Sequence, residues 1–358
     1  MRFFLYASFW MMPLHAFAGA INITLIIPDG KGPLFWQLVS DISRESAKSL
    51  HVNLEIIHHS PDRFASKEAI DSVIKRKISP DYIIFFPFNA NAVKLFTQLE
   101  SAKIPFVTLE QKFSDDIKLK LGNVREKYQY WLGEITYDNK AGGELLLSTL
   151  IDAHKKASPN EITYITGVGG DYDSVAKHRQ SVLEGLIGQN TSDKIIINQI
   201  FPMYWDPTII HERFPMISKR YPKTDVYWCA SDQMALEILK EHQATSKSPI
   251  IIGGFDWIPR ALKKIKNKEL TASAGGHFLM GVHALIKIVD YHNGVDRFLE
   301  PPYALQYEVI SANNIDEFLP FMEQKRWTKV DFSNYLFSKS KKIRPILTFE
   351  NMVANSEK

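Results

Sequence analysis

Short apolar runs alternate with stretches of helical spacing along most of the chain. INITLIIP (21–28) is apolar enough for a buried strand, and LFWQLVSDISRESAKSL (34–50) follows it with apolar residues three and four apart. VNLEIIHH (52–59) precedes a helix expected over Ala65–Lys77, and DYIIFFPF (81–88) precedes ANAVKLFTQLESAK (90–103). IPFVTLEQ (104–111) and YWLGEITYD (130–138) come next, the latter before NKAGGELLLSTLIDAHKKA (139–157). The plan then repeats. EITYITG (161–167) leads to SVAKHRQSVLEGLIG (174–188), and KIIINQIF (194–201) to a helix expected around Ile209–Arg220. DVYWCAS (225–231) and PIIIGGFD (249–256) each lead into a helix of their own. Strands that are apolar throughout, each followed by a helix, predict parallel sheets covered on both faces. The pattern therefore predicts an α/β chain of two doubly wound halves with a break near Asp138–Gly142. From about Met322 the alternation stops. KRWTKVDFSNYLF (325–337) is basic and aromatic by turns, as expected of an extension that wraps the surface.

The first residues do not belong to this pattern. MRFFLYASFWMMPLHAFAGA has one Arg, a short apolar run and small residues at Ala16, Ala18, Gly19 and Ala20. That is the form of a cleaved secretory signal, with cleavage after Ala18 or Ala20. The run is too short for a membrane span, and Pro13 and His15 interrupt it. No cysteine stands at the cleavage site for a lipid anchor, so the expected location is the periplasm. The single cysteine, Cys229, sits inside a strand and leaves no intrachain disulfide. With 358 residues, 45% apolar and 23% charged, the chain suits two domains of ordinary globular composition. A net charge of +3 is too small to argue for nucleic acid or an anionic membrane.

Polar and aromatic groups recur just past the strands. The first strand is followed by Lys31, Phe35 and Trp36, the third by Asn89 and Asn91, and the fourth by Glu110 and Gln111. In the second half come Asp171, Tyr172 and Arg179, then Tyr204, Trp205 and Asp206, then Ser231 and Asp232, then Asp256 and Trp257, and last His277. Taken singly, Asp and Ser at such positions cap helices more often than they bind a ligand. A lone Trp is core more often than a stacking plate, and Arg179 alone could be a surface ion pair of small energy. Taken together, they stand where open α/β sheets bind ligands, beyond the carboxyl ends of the strands. The chemistry suits a polyol: charged groups hydrogen-bond hydroxyls in fixed geometry, and flat rings cover the apolar face of a sugar.

These blocks resemble the type I periplasmic solute-binding proteins, the ribose/galactose-binding group, from about Ile21 to Ile310. GPLFWQL is similar to that group's Asn-Pro-Phe-Phe loop, and YDNKAGG to its Asp-Asn-x-x-Gly-Gly crossover. HRQSVLEGL resembles the stretch that holds its ligand arginine, here Arg179; ASDQMAL and IGGFDW resemble its Asn-Asp-x-Met-Ala-Leu and Val-Gly-Phe-Asp blocks. The resemblance implies two lobes joined by a multi-strand hinge. Their expected extents are 21–137 plus 276–302 and 138–275 plus 303–321, with a signal over 1–20 and an extension over 322–358. Asp138, Asn139 and the segments near Gly275 and Pro302 would be the crossovers. The chain departs from the group at Gly32 and Leu34, at Ser231, and at Glu110-Gln111, where the group has Asp-Arg, so the usual bidentate arginine is missing. Phe35-Trp36, Arg179 and Ser231-Asp232 also resemble the vibrio autoinducer-2 receptor, which shares this fold and works with a membrane sensor kinase.

The residues and the resemblance together imply a periplasmic, monomeric binding protein for a small carbohydrate-like ligand. Its expected ligand-binding residues are Lys31, Phe35, Trp36, Asn89, Glu110, Asp138, Tyr172, Arg179, Trp205, Ser231, Asp232, Asp256, Trp257 and His277. The expected partner is the permease of an ABC transporter; the alternative is a membrane sensor protein that reads the closed state. Asp256→Ala and Arg179→Ala are expected to abolish binding with the fold intact. No cofactor or metal is expected. The chain lacks G-x-x-x-x-G-K-[ST], G-x-S-x-G and H-E-x-x-H, and its histidines are scattered. An exported hydrolase on the same fold is the least favoured alternative.

Overall fold

The computed structural model describes residues 20–28, 34–110, 113–171, 174–189, 194–246, 248–298, 300, 305–339 and 347–356. Residues 1–19 of the expected signal, Lys31, Gly32, Gln111, Tyr172 and Pro302 lie outside the described residues. The first sheet holds β1 (Ile21–Pro28), β2 (Val52–His59), β3 (Tyr82–Phe85), β4 (Phe106–Leu109) and β5 (Trp131–Ile135). Its order is β2-β1-β3-β4-β5, parallel throughout. The second holds β6 (Thr163–Gly169), β7 (Ile195–Pro202), β8 (Val226–Cys229), β9 (Ile251–Phe255), β10 (Ala272–Gly275) and β11 (Glu308–Ser311), in the order β11-β10-β9-β8-β6-β7. Every residue of β3 and β8 is buried. That is why these strands are continuous apolar runs and not alternating ones.

One strand differs from the parallel pattern. β11 runs antiparallel to β10 at the sheet edge. The chain leaves β10 for the other lobe and returns along the hinge, so no crossover helix turns it parallel.

The helices are α1 (Leu34–Ser49), α2 (Arg63–Ile74), α3 (Ala92–Ala102) and α4 (Asp115–Leu121) in the first half, and α5 (Asn139–Ala157), α6 (Ser174–Glu184), α7 (Pro207–Arg220), α8 (Asp232–Thr245) and α9 (Pro259–Lys266) in the second. α10 (Met280–His292), α11 (Ile315–Glu323) and α12 (Phe349–Ser356) follow. Two helices begin earlier than the apolar spacing predicts, because a cap sets their first residue. Asp62 accepts from the N–H groups of Phe64 and Ala65, and Asp206 accepts from Thr208 with Pro207 at the first helical position.

Among the described residues the chain crosses between the lobes at Tyr137–Asp138 and at Gly275–His277, and Leu305 lies against the first of these crossings. Asp138 N–H donates to Leu305 O at 2.9 Å and Leu305 N–H to Thr136 O at 2.9 Å. The Tyr137 hydroxyl reaches Gly276 O at 3.2 Å and ties the passages together. Beyond the hinge, α10 packs on α1 and the first sheet, while β11 and α11 pack on the second lobe.

The extension from Met322 does more than wrap the surface. Trp327, Phe332, Tyr335 and Phe349 are buried, while Lys329 and Lys339 between them are exposed. Phe332 N–H donates to Ser49 of α1, and Phe337 and Ser338 N–H donate to the Asp290 carboxylate of α10. Phe349 packs on Trp257, Phe318 and Phe321 of the second lobe. The extension therefore contacts both lobes.

Candidate functional site

The carboxyl ends of the two sheets enclose a cavity of about 460 Å³. In the first sheet the strand order reverses at β1 and β3, and in the second at β6 and β8, so the cavity lies at both topological switch points. Larger depressions of about 690 and 800 Å³ open on the outer surface near the amino-terminal ends of β1 and β6, away from these strand ends.

The first lobe supplies rings. Phe35 and Trp36 open α1, and Phe86 and Phe88 follow β3. The Phe35–Trp36, Trp36–Phe86 and Phe86–Phe88 centroids lie 5.1, 5.5 and 5.4 Å apart, each pair edge-to-face. Glu110, past β4, is the one charged side chain that the described first-lobe strand ends give to the cavity. It holds a left-handed backbone at φ 56° and is buried.

The second lobe supplies polar groups: Asp171 past β6, Tyr204, Trp205 and Asp206 past β7, Ser231 and Gln233 past β8, Asp256 past β9, and Arg179 from α6. Arg179 stands at the centre because α6 lies almost against α5. A Cβ on Gly143 would fall 2.1 Å from Arg179 O, so the second glycine of the crossover block permits the contact. The guanidinium is 3% exposed, and protein groups surround it. Its Nε donates to Asn139 Oδ1 at 3.0 Å and its Nη1 to Ala230 O at 3.0 Å. Its Nη2 lies 3.0 Å from Glu110 Oε1, 3.0 Å from Tyr307 Oη and 3.1 Å from His277 Nε2. The Asp256 carboxylate lies 3.7 Å from Nη1 and 3.2 Å from His277 Nε2. Burial alone would lower the Arg179 pKa, but Tyr307, Glu110 and Asp256 outweigh it and raise it above its ordinary value. Burial is also the main reason the Tyr307 phenol is raised.

Glu110 comes from one lobe and Arg179 from the other, so their pair crosses the cleft. The expectation that Arg179→Ala leaves the fold intact is revised by these contacts. Removing the cation leaves two buried carboxylates without their partner, a strongly destabilising change.

Ser231 answers to both of its readings. Its Oγ accepts from Met234 N–H at 3.3 Å as the cap of α8, and the residue also lines the cavity. Phe35, Trp36, Glu110, Arg179, Trp205, Asp256 and His277 line it as well; Phe35 stacks on His277 at 4.3 Å.

The other expected residues stand elsewhere. Asn89 accepts from Ser114 N–H at 3.3 Å, and Asp138 caps α5 through Ala141 N–H. Asp232 is wholly buried beneath the cavity, where its Oδ2 accepts from Ile258 N–H at 3.1 Å and so holds the Asp256–Ile258 turn. Burial, then the neighbouring Asp256 charge, raises its pKa well above the usual carboxylate range. Trp257 is also wholly buried, packed on Phe278, Phe318 and Phe349, with its ring N–H donating to Ser273 O at 2.8 Å. Lys31 and Tyr172 lie outside the described residues. Asn139 and Tyr307, which hold Arg179, were not among the expected residues. Asn139 stands inside the YDNKAGG crossover block, but no local pattern marks Tyr307.

Residues 23–289 match the family model described as periplasmic binding protein domain. The ribose import binding protein RbsB of Salmonella typhimurium (strain LT2) is 24% identical over 256 residues, covering 70% of this chain and 78% of that protein. Among solved structures, a periplasmic sugar-binding protein from Pseudomonas fluorescens is similar, with a TM-score of 0.80, 19% identity, and 93% of this chain and 99% of that chain covered. An ABC transporter periplasmic solute binding protein from Actinobacillus succinogenes 130z with bound D-allose is similar at a TM-score of 0.69, with 17% identity over 83% of this chain and 99% of that one. An ABC transporter solute binding protein from Bacillus halodurans C-125 with bound myo-inositol gives 0.67, with 15% identity over 85% and 99%.

Proposed function

The chain belongs to the periplasmic binding protein family, with the type I fold of two parallel-sheet lobes, and on that premise we propose that it binds a sugar or sugar-like polyol in the cleft between its lobes. The observation that carries this reading is the pairing of walls around the 460 Å³ cavity: rings on one side, hydrogen-bonding groups on the other. That pairing suits a molecule with one apolar ring face and a rim of hydroxyls. D-allose and myo-inositol, bound by proteins of the same fold, are of this kind.

The ligand bridges the lobes and favours the closed form, and the hinge at Tyr137–Asp138, Gly275–His277 and Leu305 absorbs the motion. In the periplasm the closed form is the species an ABC permease receives. The ligand is held and released unchanged.

A thermal-shift screen of the purified protein against D-ribose, D-allose, myo-inositol, amino sugars and sugar acids tests the reading. A ligand at a hundred times its dissociation constant adds roughly 2.7 kcal/mol of stability. A clear rise in melting temperature with one of them is the expected result. A flat response to neutral sugars, amino sugars and sugar acids alike, from a folded sample, would contradict it.

A further inference from the structure

Opening the cleft would part a buried pair of opposite charges. Glu110 stands on the first lobe and Arg179 on the second, 3.0 Å apart, and each side chain is 3% exposed. In a cleft that a ligand alone closes, the facing walls meet through the ligand. Here they meet directly. Arg179 needs no ligand to satisfy it. Its Nε donates to Asn139, its Nη1 to Ala230 O, and its Nη2 has Glu110, Tyr307 and His277 within 3.1 Å. Glu110 is held in place for the contact: its N–H donates to Ile135 O of β5 at 2.7 Å, which fixes the left-handed backbone there. A second contact runs beside the pair. Phe35 of the first lobe stacks at 4.3 Å on His277, whose Nε2 lies 3.1 Å from Arg179 and 3.2 Å from Asp256 of the second lobe. Charge pairs across an interface favour the docked arrangement where further hydrogen bonds complete the buried groups. Parting the lobes leaves Arg179 with its second-lobe partners and takes Glu110 from its cation. Outside the cleft the extension fastens the same two lobes. Lys325 Nζ lies 2.8 Å from Asp41 of α1, while Phe349 packs on Trp257 of the second lobe.

We propose that the Glu110–Arg179 pair is an interlobe latch that holds the cleft closed in the ligand-free chain, with the extension as a second fastening. A ligand enters during the brief openings in which the pair parts. It then prolongs a closed form that the chain already occupies. The proposal concerns the chain without ligand, so it stands or falls apart from the sugar reading.

The test is the distance across the cleft mouth, measured by pulsed electron resonance between nitroxides at Glu68→Cys and Glu212→Cys. Both positions are exposed, on α2 and α7, which start just past the cavity-lining residues Pro61 and Asp206. Cys229 is buried, away from the label. The full chain is first unfolded in guanidinium and refolded to free it of carried ligand. One narrow distance is expected without ligand. Glu110→Ala is expected to lengthen it by several ångströms and to broaden it. Glu110→Gln should fall between the two, because its amide oxygen still accepts from Arg179 while the charge is gone. Should Glu110→Ala fail to fold, Glu110→Gln decides alone. A long or broad distance in the ligand-free protein with Glu110 intact would overturn the proposal. A short distance that the Glu110 substitutions leave unchanged would overturn the latch as well, and would assign closure to the extension.

Discussion

The two lobes follow one plan, strands ending at a shared cavity, but they meet that cavity with different chemistry. The first lobe ends its strands in Phe35, Trp36, Phe86 and Phe88, with Glu110 as its single charge among the described lining residues. The second ends its strands in Asp171, Trp205, Ser231 and Asp256, with Arg179 behind them. The difference assigns a task to each wall. Rings exclude water, and with water excluded each charge on the facing wall acts more strongly. The Glu110–Arg179 pair is where the walls meet, at 3.0 Å and buried on both sides. On the proposed reading, one lobe covers the ligand and the other holds it in register.

Substitutions can break or sharpen that contrast. The largest effect is expected from Arg179→Ala, which leaves Glu110 and Asp256 buried without their cation. A loss of about 3–5 kcal/mol in urea denaturation is expected, and stability unchanged within error would contradict the account of a committed, protein-bound arginine. Next come the rings. Trp36→Ala on the first wall is expected to weaken ligand binding by about 1–3 kcal/mol while barely changing the melting temperature. Unchanged affinity would return Trp36 to the role of core residue. Ser231→Ala removes the cap of α8 and is expected to cost about 1 kcal/mol of stability. A loss of affinity beyond that of stability would show that the hydroxyl also bonds the ligand.

The smallest effect concerns pH. An unfolded aspartic acid ionises near pH 4, whereas burial and the Asp256 charge hold the Asp232 proton on to well above that. The folded state then binds more protons than the unfolded one, so this group's contribution is full below about pH 4 and falls as pH rises. Asp232→Asn removes that slope. The variant's melting temperature should fall less than the wild type's between pH 4 and 7, and parallel curves would contradict a proton held at Asp232.

Much of this was legible in the sequence, for physical reasons. A strand buried on both faces must be apolar throughout, so the sheets and the polar and aromatic residues past their carboxyl ends stood out. Trp205 and Trp257 show where legibility stops. Both follow a strand and stand beside an aspartate, yet Trp205 lines the cavity while Trp257 is wholly buried. What separates them is Phe349, which covers Trp257 from an extension 92 positions away that has no strand–helix pattern to place it. Tyr307 is a similar case. It bonds Arg179 across 128 positions, and only the return of the chain through the hinge brings the two together. Asp232 was drawn in by its place in a familiar block, but its work is to hold the turn that carries Asp256.

The most direct test is isothermal titration of the compound that raises the melting temperature most in the thermal-shift screen into the wild type and Asp256→Asn. Asn suits this position better than Ala because residue 256 has φ 108°. The wild type should bind one ligand per chain, and the variant should lose about 1.5–3 kcal/mol of affinity, the worth of a hydrogen bond to a charged group, with its melting temperature close to the wild type's. Equal affinity in the two proteins would place the ligand outside this cleft and contradict the account.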